Sequence, residues 1–179
     1  MSVTGNIETF DPLAWGRPLK LEPVSEADYA SIAEQLGRKP RALRAVAHRC
    51  PHGKPTVVQT NPRLADGTPF PTLYYLTNPR LCGLLGGLEA SGLMREMTER
   101  LESDSELALK YQRCHDSYLA QRDEIESLGT QVSAGGMPIR VKCLHVHVGH
   151  ALACGPNINP FGDEALERLA DWPVKGCCG

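Results

Sequence analysis

Two short segments rich in β-branched and aromatic residues constrain the fold more than any other feature of this sequence. They are residues 56–60 and 72–77, and the turn-forming pair Asp66-Gly67 lies between them. Such segments are typical of strands, and an Asp-Gly pair between two of them indicates a β-hairpin with a long tip. The alternation of apolar and polar side chains over residues 43–50 fits a further strand.

Residue patterns that favour helices occupy much of the remaining sequence. Ser25 followed by Asp28 predicts a helix start, because Ser25 can cap the free amides and Asp28 lies where the helix dipole favours negative charge. Residues 81–101 and 105–128 are rich in Glu, Arg, Leu and Met, which favour helices. We expect these two stretches to form a helical hairpin packed on the sheet.

Two more helices are predicted near the C-terminal end. Pro138 suits a first helical turn, residues 141–154 continue as a helix, and Gly155 ends it. Residues 163–169 form one short final helix. The fold class is therefore α+β, with a small antiparallel β-hairpin or sheet packed on a helical hairpin and further helices.

The length of 179 residues suits a single domain over residues 1–179. We expect an irregular lead segment over residues 1–20 and a flexible, cysteine-containing tail over residues 173–179. The formal charge of −2 gives no electrostatic reason to expect binding to nucleic acid or to a membrane surface.

The N-terminal residues have neither the basic region nor the apolar region of a secretory signal, and the apolar runs are too short to span a bilayer. We therefore expect a cytoplasmic protein. In that reducing compartment, the seven cysteines indicate metal ligation, catalysis or burial rather than disulfides.

One stripe of the predicted helix carries four thiol or imidazole side chains: Cys143, His147, His150 and Cys154. Such groups on one face of a helix can bind zinc. One helix cannot complete a tetrahedral site. We therefore predict a metal site formed by Cys50, His52, Cys143 and His150, with His147, Cys154 and Cys82 as weaker candidates. Zinc is the expected metal; an iron–sulfur cluster, which prefers four thiolates, is the weaker alternative. The competing interpretation is a buried polar cluster without metal.

The adjacent pair Cys177-Cys178 has two interpretations. Flanked by glycines, it could fold back onto a metal or act as a thiol switch. A frayed terminus without a fixed partner is the interpretation that we favour.

The glycine pair Gly135-Gly136 precedes the predicted helix that contains Cys143. Glycines leading into a helix N-terminus leave backbone amides free for a phosphate or carboxylate, and Arg140 and Lys142 add positive charge. We expect a small anionic ligand there, with Arg63 of the hairpin tip facing the same place. A tight turn followed by a helix cap is the alternative.

Several separated blocks of the sequence are characteristic as a set: residues 49–51, 62–64, 66–77, 88–90, 92–97, 133–138, 140–145 and 159–166. In that order they resemble the bacterial Domain of Unknown Function 501 family, common in actinobacteria and without an assigned activity. The resemblance covers residues 21–172. Members of that family often have Cys-Pro-Cys where this chain has Cys50-Pro51-His52, and Thr-Cys-Pro where it has Thr77-Asn78-Pro79. The first difference keeps a ligand-type side chain, whereas the second removes a thiol unless Cys82 substitutes.

Three functional hypotheses follow. The leading one is a cytosolic protein with the Cys/His cluster beside the site for a small anionic or phosphorylated ligand. The second is a metal-dependent hydrolase acting on a phosphoester or amide. The third is a non-enzymatic interaction module, in which residues 81–128 present an apolar surface to a protein partner. The sequence does not decide whether the protein is an enzyme.

Overall fold

The computed structural model of the chain describes residues 9–174 and Cys177. Cys178 and the first eight residues of the predicted lead segment lie outside the described residues. The elements, in chain order, are α1 (Glu26–Leu36), β1 (Leu43–Arg49), β2 (Pro55–Thr60), β3 (Tyr74–Leu76), α2 (Pro79–Ala90), α3 (Leu93–Ser103), α4 (Ser105–Ile125), α5 (Leu144–Cys154) and α6 (Pro160–Arg168). The predicted α+β class is confirmed.

The sheet is antiparallel with strand order β1-β2-β3. The predicted hairpin is confirmed, since Val58 of β2 pairs with Tyr75 of β3 and, on its other side, with Val46 of β1. Every residue of β2 is buried, as expected for a central strand of apolar and β-branched residues. A tight turn joins β1 to β2, in which the amide of Gly53 donates to the carbonyl of Cys50.

Side-chain caps explain where several helices begin. The predicted cap by Ser25 is confirmed at the start of α1, where Ser25 and Asp28 together form a capping box. Asn78 and Asn159 accept backbone amides of α2 and α6, and each is followed by a proline, which the first turn of a helix tolerates.

The single helix predicted over residues 81–101 is wrong, because the chain forms α2 and α3 there with a break at Ser91 and Gly92. Gly92 has a φ of 86°, a left-handed conformation that a right-handed helix cannot contain. The next helix begins at Ser105 as predicted but ends at Ile125, where Glu126 is extended. Together α2, α3 and α4 pack their apolar side chains inward.

The apolar positions of the predicted helical hairpin lie mainly in the core. Leu93, Met97, Tyr111, Tyr118 and Leu119 are all buried. The hypothesis of a protein-interaction surface needs such positions on the outside, so it draws no support from them.

Helix α5 crosses the sheet and packs on β3 and α6. Two glycines permit this close contact: a Cβ atom at Gly149 would lie 2.7 Å from the carbonyl oxygen of Tyr74, and one at Gly162 would collide with the carbonyl oxygen of His147. The helix begins at Leu144, so the predicted start near residues 138–141 is wrong. Gly136, with a φ of 91°, closes a turn instead.

Candidate functional site

Cys50, His52 and Cys177, which we call the Cys50 cluster, bring three metal-type donors together. One donor atom from each residue lies within 4.8 Å of the others. Cys50 follows the end of β1 and is buried, whereas His52 is exposed in the tight turn before β2. The Nδ1 atom of His52 is 2.9 Å from the Sγ atom of Cys177. Two segments that are 125 positions apart in the chain therefore meet at this turn.

Asn78 helps to hold Cys177 in the Cys50 cluster. Its side-chain amide donates a hydrogen bond to the carbonyl of Cys177, while its Oδ1 atom accepts the amide of Leu81 at 2.9 Å and caps α2. The thiol-bearing residue Cys177 is fully buried. Cys177 therefore has hydrogen-bond partners in the fold, whereas the flexibility of the tail over residues 173–179 stays a prediction.

A second group of donors, which we call the Cys143 cluster, consists of Glu89, Cys143 and His145. One donor atom from each lies within 4.8 Å of the others. Glu89 is in the last turn of α2, Cys143 immediately precedes α5, and His145 is the second residue of α5. The Oε1 atom of Glu89 accepts the amide of Leu144 at 2.7 Å and lies 3.0 Å from Nδ1 of His145. The carboxylate thus binds the N-terminus of α5, where the helix dipole favours negative charge.

Both ring nitrogens of His145 face acceptors, since Nε2 lies 3.1 Å from the carbonyl oxygen of Cys82. A ring with an acceptor at each nitrogen is best satisfied when both nitrogens carry protons. Hydrogen bonding with Cys143 and with the Glu89 carboxylate raises the pKa of His145 to about 9, although burial opposes the charge. His145 is therefore an imidazolium at neutral pH.

The Cys143 cluster opens onto a cleft with a volume of about 440 Å³. The cleft lies between α1, β3, the start of α2 and the start of α5. Its lining is mostly apolar and aromatic, and includes Leu36, Tyr74, Tyr75, Leu76, Cys82 and Val146.

His147 and His150 belong to neither cluster and lie fully buried in the core. The amide of Asn159 is oriented by its Oδ1 atom, which accepts the amide of Gly162 at 3.0 Å. Its nitrogen therefore donates to Nδ1 of His147 at 3.1 Å and to Nδ1 of His150 at 3.3 Å. Each imidazole is consequently neutral, with its proton on Nε2.

Burial explains why these two imidazoles stay neutral. It lowers the pKa of His147 to about 4 and, together with the nearby His147, the pKa of His150 to about 3. His147 Nε2 lies 3.2 Å from the carbonyl oxygen of Gly135, and His150 stacks on Tyr74. His147 and His150 therefore belong to a buried, hydrogen-bonded polar cluster.

The predicted combination of Cys50, His52, Cys143 and His150 is not brought together among the described residues. Cys50 and His52 meet Cys177, Cys143 meets Glu89 and His145, and His150 is held in the core by Asn159. The predicted helical stripe fails because Cys143 precedes α5 in an extended conformation. Of the weaker candidates, Cys154 and His147 are buried in the core and Cys82 lines the cleft.

The predicted anion site differs as well. Gly135 and Gly136 do not begin a helix: their carbonyls accept the amides of Lys142 and Arg140 within a turn. The N-terminus of α5 is bound by Glu89 instead of an external anion. Arg63 pairs with Glu126 at 2.9 Å and donates to the carbonyl of Gly67. The alternative of a tight turn describes this glycine pair.

Glu89 and His145 were not predicted as ligands or partners, and Cys177 was considered only as part of a tail that could fold back onto a metal. Cys177 is eight positions beyond the last predicted helix and carries no spacing signal that relates it to Cys50. No sequence pattern distinguished Glu89 from the other carboxylates of the chain. The pattern Cys-x-His at positions 143 and 145 was the available signal for the Cys143 cluster, and it repeats the Cys-x-His at positions 50 and 52.

No helix within the described part of the chain combines the length and apolar character needed to cross a membrane. A family model described as "Protein of unknown function (DUF501)" matches residues 46–167, more than half of the chain. The matched range contains the whole Cys143 cluster, whereas Cys177 lies beyond it. No curated protein and no solved structure matches the chain.

Proposed function

The chain belongs to the DUF501 family, for which no function is described, and we propose from its geometry that it binds a metal ion at the Cys50 cluster. The observation that carries this proposal is the meeting of Cys50, His52 and Cys177 within 4.8 Å, although 125 positions separate His52 from Cys177. Such a meeting of distant soft donors is typical of a structural metal centre.

Zinc is the metal that fits these donors best. It binds thiolate sulfur at about 2.3 Å and imidazole nitrogen at about 2.0 Å, so the ligands of one zinc ion lie within roughly 4 Å of one another. The three donor atoms need only small side-chain movements to reach that spacing. An iron–sulfur cluster prefers four thiolates, whereas one of these three described donors is an imidazole.

The role that we propose for the metal is structural. A bound ion links the turn between β1 and β2 to Cys177, and thereby attaches the C-terminal segment to the sheet. Because a metal site is assembled only when the chain is folded, the free energy of metal binding adds to the free energy of unfolding. Anionic-ligand binding near Arg140 and Lys142 stays a separate proposal.

Metal analysis of the full chain, purified without a histidine tag from zinc-supplemented cells, tests the proposal. We expect about one zinc ion per wild-type chain and a loss of zinc in Cys50→Ser and Cys177→Ser. Cys143→Ser is the matched control, because Cys143 is a ligand in the set predicted from sequence but lies outside the Cys50 cluster. It should retain zinc.

Two results contradict the proposal. The first is a wild-type protein that contains no metal after zinc-supplemented expression. The second is a Cys177→Ser protein that keeps its zinc while Cys143→Ser loses it. Circular dichroism of each variant separates the loss of a ligand from the loss of the fold.

A further inference from the structure

We propose that Cys143, His145 and Glu89 form a nucleophilic triad that transfers the acyl group of a neutral ester or thioester through an S-acyl intermediate on Cys143. This activity is independent of the metal centre, since the two clusters share no residue. The arrangement is a thiol beside an imidazole that a carboxylate orients, which is the general pattern of an activated nucleophile.

His145 supplies a positive charge next to the Cys143 sulfur. Its ring lies between the Glu89 carboxylate and the carbonyl of Cys82, at 3.0 and 3.1 Å, and both contacts favour the doubly protonated ring. A donor atom of that ring is within 4.8 Å of the sulfur. The ring is thus placed to exchange protons with the cysteine side chain and with a substrate bound beside it.

Glu89 is the positioning residue of the triad. The amide of Leu144 fixes its Oε1 atom at 2.7 Å, and the same oxygen accepts from His145. The carboxylate therefore holds the imidazole at the start of α5, next to Cys143. Replacing it with an amide keeps the shape of the side chain but removes the charge that orients the ring.

The cleft beside the triad indicates what kind of substrate fits. Its lining is mostly apolar, and His145, already paired with Glu89, is the one cationic residue among the described residues that line it. An anionic substrate would find no free counter-charge there. A neutral compound whose acyl chain packs against Leu36, Tyr75 and Val146 matches this lining.

The reaction has two balanced halves. The Cys143 thiolate attacks the carbonyl carbon, and the bond from that carbon to the leaving oxygen or sulfur breaks. The leaving group takes the Nε2 proton of His145, which is otherwise donated to the carbonyl of Cys82, while Nδ1 keeps its contact with Glu89. Water then attacks the thioester, and the neutral imidazole accepts a proton from it. The carboxylic acid leaves, and the Cys143 thiol group is restored as a thiolate beside the imidazolium.

Cys82 provides an internal reference for the test, because it lines the same cleft without belonging to the triad. Burial, with a smaller effect from Cys143, raises the pKa of Cys82 to about 11 and keeps it a thiol at neutral pH. Because the raised pKa of Cys82 alone favours modification of Cys143, activation by the triad is read from the rate at Cys143 in His145→Gln compared with the wild-type protein.

The experiment treats the full-length protein with iodoacetamide and, separately, with p-nitrophenyl butyrate at pH 7, and identifies modified cysteines by mass spectrometry. We expect both reagents to modify Cys143 before Cys82. His145→Gln should slow alkylation of Cys143 about tenfold or more and slow its acylation about a hundredfold. Glu89→Gln should slow both reactions less, and Cys143→Ser should form no butyryl adduct at this position.

Equal modification of Cys143 and Cys82, an unchanged rate in His145→Gln, or rapid alkylation without acylation would each overturn the proposal. Cys114 and Cys154, both buried, report the integrity of the fold. If they stay unmodified in His145→Gln, a slower reaction at Cys143 results from the missing imidazole. The zinc content is measured alongside, so that failure of the triad and failure of the metal centre are distinguishable.

Discussion

The Nδ1 atom of His52 lies 2.9 Å from the Sγ atom of Cys177, so that the turn after β1 contacts a residue 125 positions further along the chain. A contact over such a separation costs considerable chain entropy. It is reinforced by the hydrogen bond from Asn78 to the Cys177 carbonyl. A metal ion at the Cys50 cluster, as we propose, would add further stabilisation.

Removal of the metal should therefore destabilise the wild-type protein. A ligand present at a thousandfold excess over its Kd stabilises the folded state by about 4 kcal/mol. For a chain of this length that corresponds to a fall in Tm on the order of 10 °C on addition of a chelator. Differential scanning fluorimetry with and without EDTA measures this fall in Tm. Cys177→Ser should have a low Tm that EDTA does not change, and an equal response in both proteins would contradict the prediction.

Acid should destabilise the protein through His147 and His150. Their pKa values in the folded state, about 4 and about 3, lie below the value of about 6.5 expected on unfolding. The unfolded chain therefore binds more protons below pH 6.5, and the free energy of unfolding falls as the pH decreases. For His147 the loss approaches about 3 kcal/mol by pH 4.

Urea unfolding at pH 7.5, 6 and 5 checks this pH dependence. His150→Gln removes one titrating group, so its stability should be lower at pH 7.5 but should fall less steeply with pH. The slope should decrease by up to about 1.4 kcal/mol per pH unit. An unchanged slope would assign the acid sensitivity to other groups.

Two glycines in helices should respond in opposite directions to alanine. At Gly162 of α6 a Cβ atom would collide with the carbonyl of His147 and lie 2.7 Å from the Cβ atom of Ala151. Gly162→Ala should therefore destabilise the protein by about 2–3 kcal/mol.

At Gly87 of α2 the added methyl group would have no described atom within 4 Å outside its own helix backbone and chain neighbours. Gly87→Ala should stabilise by up to about 1 kcal/mol through helix propensity. Chemical denaturation measures both, and a stabilised Gly162→Ala would contradict the close packing of α5 on α6.

The pair of Asp28 and Arg49 should contribute measurably to stability. It is bidentate, with distances of 2.7 and 3.0 Å, and joins α1 to β1 beside Cys50. Hydrogen bonds from Arg49 hold the pKa of Asp28 well below its usual range. The stabilisation is therefore present above pH 4 and is lost as the pH falls below it.

A double-mutant cycle with Asp28→Asn and Arg49→Met should yield a coupling energy of about 1–2 kcal/mol at pH 7. The matched control is the exposed pair of Glu106 and Lys110, whose atoms are 2.9 Å apart but are surrounded by solvent. No measurable coupling is expected there. Equal coupling in the two pairs would show that burial is not what strengthens the contact between Asp28 and Arg49.

Features that depend on neighbouring residues were predictable from the sequence. The cap at the start of α1 arises from Ser25 and Asp28, which are three positions apart. The pairing of β2 with β3 and the α+β class follow from the residue pattern within each strand and helix. The break at Gly92 and the late start of α5 were not predictable, because a glycine in a helical pattern indicates neither its φ nor the turn that it closes.

The sequence by itself determined which residue types were present for chemistry: thiols, imidazoles and carboxylates in a chain with a sheet and several helices. Only the tertiary structure decided that His52 meets Cys177, that Glu89 reaches His145, and that His150 is enclosed in the core. The physical reason is that donor chemistry belongs to individual side chains, whereas their partners are set by the packing of α5 on the sheet and by the path of the C-terminal segment. Many pairings of the same donors are compatible with the sequence, and packing selects among them.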